Sequence, residues 1–227
     1  MSSDVDTAAV AALVANRARC AMLDALFDGG ERTAGSLARV ARITPSTASG
    51  HLRMLADDGL VVLEHRGRHQ YVRLAGAEVA HALEALSTIA PTLPSTNLRA
   101  SDRARALRQG RTCYDHLAGA LGVALSDALC EAAILTVDEL QLTPHGAGVL
   151  LQFGIDIPQL RSARRPLTRV CLDWSERRPH LGGALGAALC RELLTRGWIA
   201  RLPEPRIVRV TRVGREGLAE TFGLRAD

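Results

Sequence analysis

The chain has 227 residues, 47% of them apolar, which is enough to bury a core and to build two small domains. A formal charge of +4 and a pI near 9.1 make a mild basic excess that favours nucleic acid as a partner, while 3% aromatic content argues against a single-strand-binding surface of stacking platforms. No apolar run is long enough to span a bilayer, residues 1–6 lack the basic start of a secretory signal, and five scattered cysteines suggest no disulfide framework; a cytoplasmic chain with reduced thiols is expected. The cationic side chains are all Arg, with no Lys, which together with abundant Ala reads as genomic base bias.

In chain order, residues 8–27 read as one helix, with Val10, Leu13, Val14, Ala21, Leu23, Leu26 and Phe27 toward one side and Asp28-Gly29-Gly30 ending it. Thr33 is a plausible N-cap for a short helix whose inward residues are Leu37, Val40 and Ala41. Arg42-Ile43 makes a turn, Thr44 can cap the next helix, and Pro45 fits its first position, where a missing N–H costs nothing. Along that helix Ala48, Leu52 and Leu55 face inward, leaving Ser46, Thr47, Ser49, Gly50 and Arg53 outward, small and polar enough for close approach to DNA. Gly59 stops the helix, and strands from Leu60 and from Gln70 to Leu74 flank the turn Arg66-Gly67-Arg68-His69. This pattern predicts a winged helix-turn-helix over 33–74, with base contacts from the second helix and phosphate contacts from Arg66, Arg68 and His69 on the wing.

The run Thr-Pro-Ser-Thr-Ala-Ser-Gly-His-Leu-Arg-Met-Leu at 44–55, Gly-Leu-Val at 59–61 and Arg-Gly-Arg-His-Gln-Tyr at 66–71 resembles the ArsR-type (ArsR/SmtB) winged-helix repressors, over roughly the first 90 residues. The resemblance implies a homodimer bound to a double-stranded operator, an imperfect inverted repeat, and released by an inducer. It also implies DNA contacts from Thr44, Ser46, Thr47, Ser49, Gly50, His51 and Arg53, with His51 able instead to support the motif's own core. The metal patterns of that family are not matched: the helix at 36–41 has no cysteine cluster, and the helix predicted over 77–90 offers only His81 and Glu84, a pair read as solvated.

Residues 92–111 read as a linker running into a basic helix with Arg99, Arg103, Arg105 and Arg108, followed by Arg111, either a solvated face or a further anion contact. The second half then repeats: His116 to Leu125 recurs as His180 to Leu189, 64 residues on, with eight of ten positions identical. Leu142-Thr143-Pro-His-Gly146 is echoed by Val210-Thr211-Arg-Val-Gly214. The expected fold class is mostly α with small β hairpins (α+β), an N-terminal winged helix-turn-helix plus a C-terminal domain of two winged-helix-like pseudo-repeats. Expected boundaries are 1–91 for DNA binding and dimerisation, 92–111 for the linker, and 112–227 for effector sensing, with copies at 112–155 and 176–224. Glycines 119, 122, 182, 183 and 186 are expected where the two repeated helices touch about a pseudo-twofold axis.

Before each repeated helix lie a cysteine and an acid: Cys113-Tyr114-Asp115-His116 and Cys171-Leu172-Asp173-Trp174, with His180 opening the second helix. If the copies pack symmetrically, Cys113, His116, Cys171 and His180 could converge on a thiophilic metal ion in a tetrahedral set. The competing reading places both histidines in helical first turns and treats the cysteines as small core residues. A small organic inducer is the other effector, with Arg111, Arg177 and Arg178 attracting an anion and Tyr114 and Trp174 lining its pocket, and Cys113 as a redox-sensing thiolate is a third option. No cofactor is certain. No Gly-rich phosphate cradle and no assembled nucleophile, base and orienting acid is found, so a DNA-binding regulator is expected rather than an enzyme or an adaptor.

Overall fold

The computed structural model describes residues 5–91 and 98–225, and the chain divides into two compact units, 1–82 and 83–227. The boundary falls inside a helix, nine residues before the expected position at 91. Of the expected linker, residues 92–97 lie outside the described residues.

In the first unit, α1 (Thr7–Val14) and α2 (Arg17–Ala25) replace the single expected helix. Asn16 breaks it: its side-chain oxygen accepts from the backbone N–H groups of Ala18 and Arg19, a cap that competes with helix continuation. A short strand, β1 (Arg32–Thr33), then leads into α3 (Ala34–Ala41), capped by the Thr33 hydroxyl and closed by Arg42 in the left-handed region at φ 56°. Helix α4 (Pro45–Asp57) has Thr44 as its cap and Pro45 in its first turn. Ala48, Leu52 and Leu55 are wholly buried, and α4 packs against α3 and α2, whose Leu37, Met22 and Leu23 are buried too. Strands β2 (Val61–Arg66) and β3 (His69–Leu74) pair antiparallel, Arg66 opposite His69, so the wing turns on Gly67 and Arg68 alone. β1 adds to the far edge of β3, giving the order β1-β3-β2.

Helix α5 (Ala77–Ile89) crosses the boundary, and α6 (Leu98–Gln109) is the basic helix, with no buried residue. The second unit continues with β4 (Arg111–Cys113), β5 (His116–Ala118), α7 (Gly119–Glu131), α8 (Pro144–Gln152) and a single-turn α9 (Ile157–Arg161). It then runs through β6 (Arg169–Leu172), β7 (Pro179–Gly182), α10 (Gly183–Thr195), β8 (Ile199–Arg201), β9 (Val208–Val210) and α11 (Arg212–Phe222). The hairpins β4–β5 and β6–β7 each feed a 13-residue helix through a glycine at positive φ, Gly119 at 74° and Gly183 at 79°. The second hairpin starts at Arg169, earlier than the expected copy boundary at 176.

Packing within this unit is reciprocal: α10 lies on β5, α7 lies on β7, and the two inner strands adjoin. The expected helix-to-helix glycine contact is replaced by a closer one. A Cβ on Gly122 would sit 2.5 Å from the Leu117 carbonyl oxygen, and one on Gly186 2.5 Å from that of Leu181, so each helix is pressed onto its own hairpin. Thr143 and Thr211 cap α8 and α11 through the N–H groups of Gly146 and Gly214, where added methyls would strike the carbonyls of Ile134 and Trp198. The core beneath is aliphatic, with Leu129, Leu150, Leu185, Leu189 and Leu193 almost wholly buried and Phe153 edge-on to Phe222.

Candidate functional site

The outward face of α4 is the first candidate. Thr44, Ser46, Thr47, Ser49, Gly50 and Arg53 are all exposed, because every inward position of the helix is taken by an apolar side chain. No atom lies within 4 Å of where a Gly50 side chain would begin. The hydroxyls hold one another in place: Thr44 Oγ1 accepts from the Thr47 backbone N–H and lies 3.0 and 2.8 Å from the Ser46 and Thr47 hydroxyls, while Ser49 donates to the Pro45 carbonyl. Hydroxyls in such local bonds exchange partners at small cost when a phosphate or a base edge arrives.

Two expected contacts sit differently. His51 is half-buried, with Nδ1 3.4 Å from Nη1 of Arg19, a buried residue whose guanidinium donates to the carbonyls of Ala12 and Leu13. The ring thus faces the helical core of the motif. Arg66 is exposed but engaged, donating to Glu31 at 2.7 Å and to Glu64 at 2.8 Å and lying over the Tyr71 ring. These carboxylates compete with phosphate for it, and Arg68 and His69, exposed at the wing tip, stand clear of them.

The second candidate lies inside the second unit. The hairpin registers set Cys113 opposite His116 and Cys171 opposite His180. Both histidines therefore occupy strands, not the first turns of helices. One ligand-type atom from each of Cys113, His116 and His180 lies within 4.8 Å of the others, and all three side chains are buried. The imidazoles stack at 5.2 Å. Cys171 is half-buried beside them and stands outside that cluster of three. Burial pushes the Cys113 thiol well above its ordinary range, with Glu84 and Cys171 adding to the rise. An exposed, acidic redox thiolate at a helix start is thereby overturned, since Cys113 is a strand residue closed off from solvent.

Around the cluster runs an ionic network that sequence reasoning missed. Arg111, placed by the sequence in a basic linker and among anion-attracting groups, is a fully buried strand residue. It donates to Glu84 at 3.1 Å and to Asp173 at 2.9 Å, and its guanidinium lies 4.5 Å over the Trp174 ring. Arg206 reaches the other Glu84 oxygen at 3.1 Å. Glu84 is therefore a buried ion-pair partner and not a solvated residue. For Asp173, burial alone would raise the pKa, but Arg111 and hydrogen bonds from Ser175, Glu176 and Gly119 hold it down at about 2. Its bond from the Gly119 N–H also caps α7, a helix whose own N-cap residue, Ala118, offers no side-chain bond. Asp115 is likewise pulled down to about 2 against burial by hydrogen bonds from His116 and Arg165. Arg178 pairs with Asp127, and Trp174 is taken up beneath Arg111, so the expected anion pocket of Arg111, Arg177, Arg178, Tyr114 and Trp174 is not assembled. A cleft of about 500 Å³ opens elsewhere in this unit, walled by Ala106, Leu121, Ala124, Ile207 and Val210, with Arg225 also on its lining.

A capped helix presenting small polar residues and Arg53, with an antiparallel ribbon beside it, defines a winged helix-turn-helix DNA-binding regulator. A helix-turn-helix domain family matches residues 14–64. The chain is 41% identical over 210 residues to the uncharacterized HTH-type transcriptional regulator YdfF of Bacillus subtilis, covering 92% of this chain and 93% of that one. Among solved structures, it is similar to the homodimeric winged helix-turn-helix domain of a possible ArsR-family regulator from Mycobacterium bovis (31% identity, 39% of this chain, 89% of that one, TM-score 0.33). It is similar also to the cadmium sensor CmtR of Mycobacterium tuberculosis (33% identity, 40% and 93%, TM-score 0.32). The chain belongs to the HTH-type transcriptional regulators.

Proposed function

We propose that this regulator acts as a homodimeric repressor whose two α4 helices enter successive major grooves of an imperfect inverted repeat. The observation that carries the reading is the exposed row Ser46, Thr47, Ser49, Gly50 and Arg53 on a helix whose opposite face is fully buried. Arg53 is the base-reading side chain, and Arg68 and His69 supply phosphate contacts on the wing. Uncovered apolar side chains on α1 and α5, Val10, Leu86 and Ile89, support pairing with a second copy. Duplexes selected from a random pool should carry an inverted repeat, and Arg53→Ala should weaken the selected duplex by about tenfold or more while leaving random duplex within about threefold. Equal losses on both duplexes would move Arg53 to the phosphate-contact class.

Release from the operator requires an inducer that prefers a dimer with misplaced recognition helices; a hundredfold release corresponds to about 2.7 kcal/mol of preference between the two states. The 500 Å³ cleft of the second unit favours an apolar-bodied organic effector, with Arg209 and Arg225 on its lining suited to an acidic group. A thermal-shift screen of small organic acids should find stabilisers whose effect Ala124→Trp abolishes while basal DNA affinity is unchanged. Stabilisers that work equally well on the Ala124→Trp protein would remove the cleft from the mechanism.

A further inference from the structure

Two hairpins that share a register place one thiol and one imidazole each at the centre of the second unit. Cys113 stands opposite His116 and Cys171 opposite His180, and the reciprocal packing of α10 on β5 and α7 on β7 turns both pairs inward. The result is a compact donor set: Cys113, His116 and His180 within 4.8 Å of one another, closed off from solvent. In a tetrahedral thiolate and imidazole site the ligand atoms lie roughly 3.3–3.8 Å apart, given metal bonds of about 2.3 Å to sulfur and 2.0–2.1 Å to nitrogen.

Two further observations point to an ion. First, glycine lets the donors close in on one point of the backbone. A Cβ on Gly182 would lie 2.9 Å from Cys171 Sγ and 3.2 Å from His116 Nε2, so the fourth sulfur and an imidazole nitrogen border the same small space. Second, His116 has a carboxylate on its other nitrogen, Asp115 Oδ1 lying 3.3 Å from Nδ1, while Asp173 Oδ2 stands 3.8 Å from His180 Nδ1, beyond hydrogen-bond distance. Metal-bound histidines are oriented in this way by an outer carboxylate, which fixes the tautomer and leaves Nε2 for the ion.

We propose that Cys113, His116 and His180, with Cys171 closing the fourth corner, bind one thiophilic divalent d10 cation of the Zn²⁺ class inside the second unit. Two sulfurs and two imidazoles exclude hard cations such as Mg²⁺ and Ca²⁺, which take oxygen ligands. The site belongs to the second unit and does not rest on the repressor reading, so the two fail separately.

Untagged full-length protein, stripped with chelator and titrated with Co²⁺, should take up one ion per chain. The expected spectrum combines strong tetrahedral d–d bands with a thiolate-to-cobalt charge-transfer band, and Zn²⁺ should bleach both. Cys113→Ser should remove about half of the charge transfer, that of one thiolate of two, and His180→Asn should weaken binding about tenfold or more. Near-UV circular dichroism of Trp174 and Trp198, both in this unit, checks the fold of each variant. Gly182→Ala retains every ligand and presses one methyl against Cys171 Sγ and His116 Nε2; it should also weaken Co²⁺ binding, which keeps the idea testable if a ligand variant fails to fold. A weak octahedral spectrum, no uptake by the native chain, or unchanged affinity and charge transfer in Cys113→Ser would overturn the proposal.

Discussion

Replacing Arg111 by Met tests whether the buried ionic network holds the second unit together. Arg111 and Arg206 face Glu84 and Asp173, two guanidiniums against two carboxylates, with the Arg111 and Asp173 side chains wholly inaccessible to solvent. Met fills similar volume but removes one positive charge, leaving a buried excess of negative charge and a stripped Trp174 face. Breaking a buried pair in this way costs about 3–5 kcal/mol, because the remaining carboxylate stays desolvated without its counter-ion. At about 2–4 °C per kcal/mol for a unit of this size, the melting temperature should fall by roughly 10 °C. The chain's two tryptophans, Trp174 and Trp198, both lie in this unit, so tryptophan fluorescence reports its unfolding selectively. Adding Asp173→Asn to Arg111→Met should recover part of the loss, since the uncompensated charge is gone. The penalty should also shrink as the pH falls toward about 4, where carboxylates freed from Arg111 take up protons. A drop below about 2 °C at neutral pH, or a penalty independent of pH, would refute the reasoning.

The native chain should be acid-sensitive in a defined window. Asp173 and Asp115 are held at about 2 against an ordinary 3.8, so their contribution is complete above about 4 and is lost as the pH falls through about 2. For Asp173 alone this is roughly 2 kcal/mol, read as a lower urea midpoint at pH about 2.5 than at pH about 5, and equal midpoints would contradict it. Two glycines should respond oppositely to Ala: at Gly214 the new methyl would lie 1.8 Å from the Trp198 carbonyl oxygen and cost about 3 kcal/mol, whereas Gly148, with nothing within 4 Å on the exposed side of α8, should gain about 0.5–1 kcal/mol. Denaturant titrations of the two variants decide this, and a shared sign would be the failing result.

Local chemistry was legible in the sequence and long-range pairing was not. Thr33, Thr44, Pro45 and the stripe Ala48, Leu52 and Leu55 act through neighbours three or four residues away, and the caps of α3 and α4 and the buried face of α4 stand where that spacing put them; on α3 Leu37 is buried as expected, but Ala38 is buried beside it and Val40 is exposed. The duplicated Cys and His residues were visible because repetition is itself a sequence signal. Arg111 was misread for the opposite reason: it follows a run of exposed arginines on α6, and its partners Glu84 and Asp173 lie 27 and 62 residues away, a separation that leaves no period to read. Asn16 was overlooked inside an apolar stretch because its competing turn is a property of one side chain, weaker as a pattern than the hydrophobic stripe around it. The wing turn was placed correctly, but the Arg66 to Glu31 bond joins parts of the chain 35 residues apart.

The two hairpins are alike in what they carry and unlike in how they turn. Cys113 and His116 are joined by Tyr114 and Asp115 alone, whereas the second hairpin extends through Leu172 and Pro179 and then spends Asp173 to Arg178 on its loop, which delivers Asp173 and Trp174 to Arg111. A half-length chain with a single hairpin would own one thiol and one imidazole, and could complete a four-donor set only by meeting a second molecule. Carrying both hairpins on one chain makes that encounter intramolecular, set by chain connectivity and not by protein concentration. It also lets one hairpin carry a long loop while the other keeps a tight turn, an asymmetry that two identical subunits do not have.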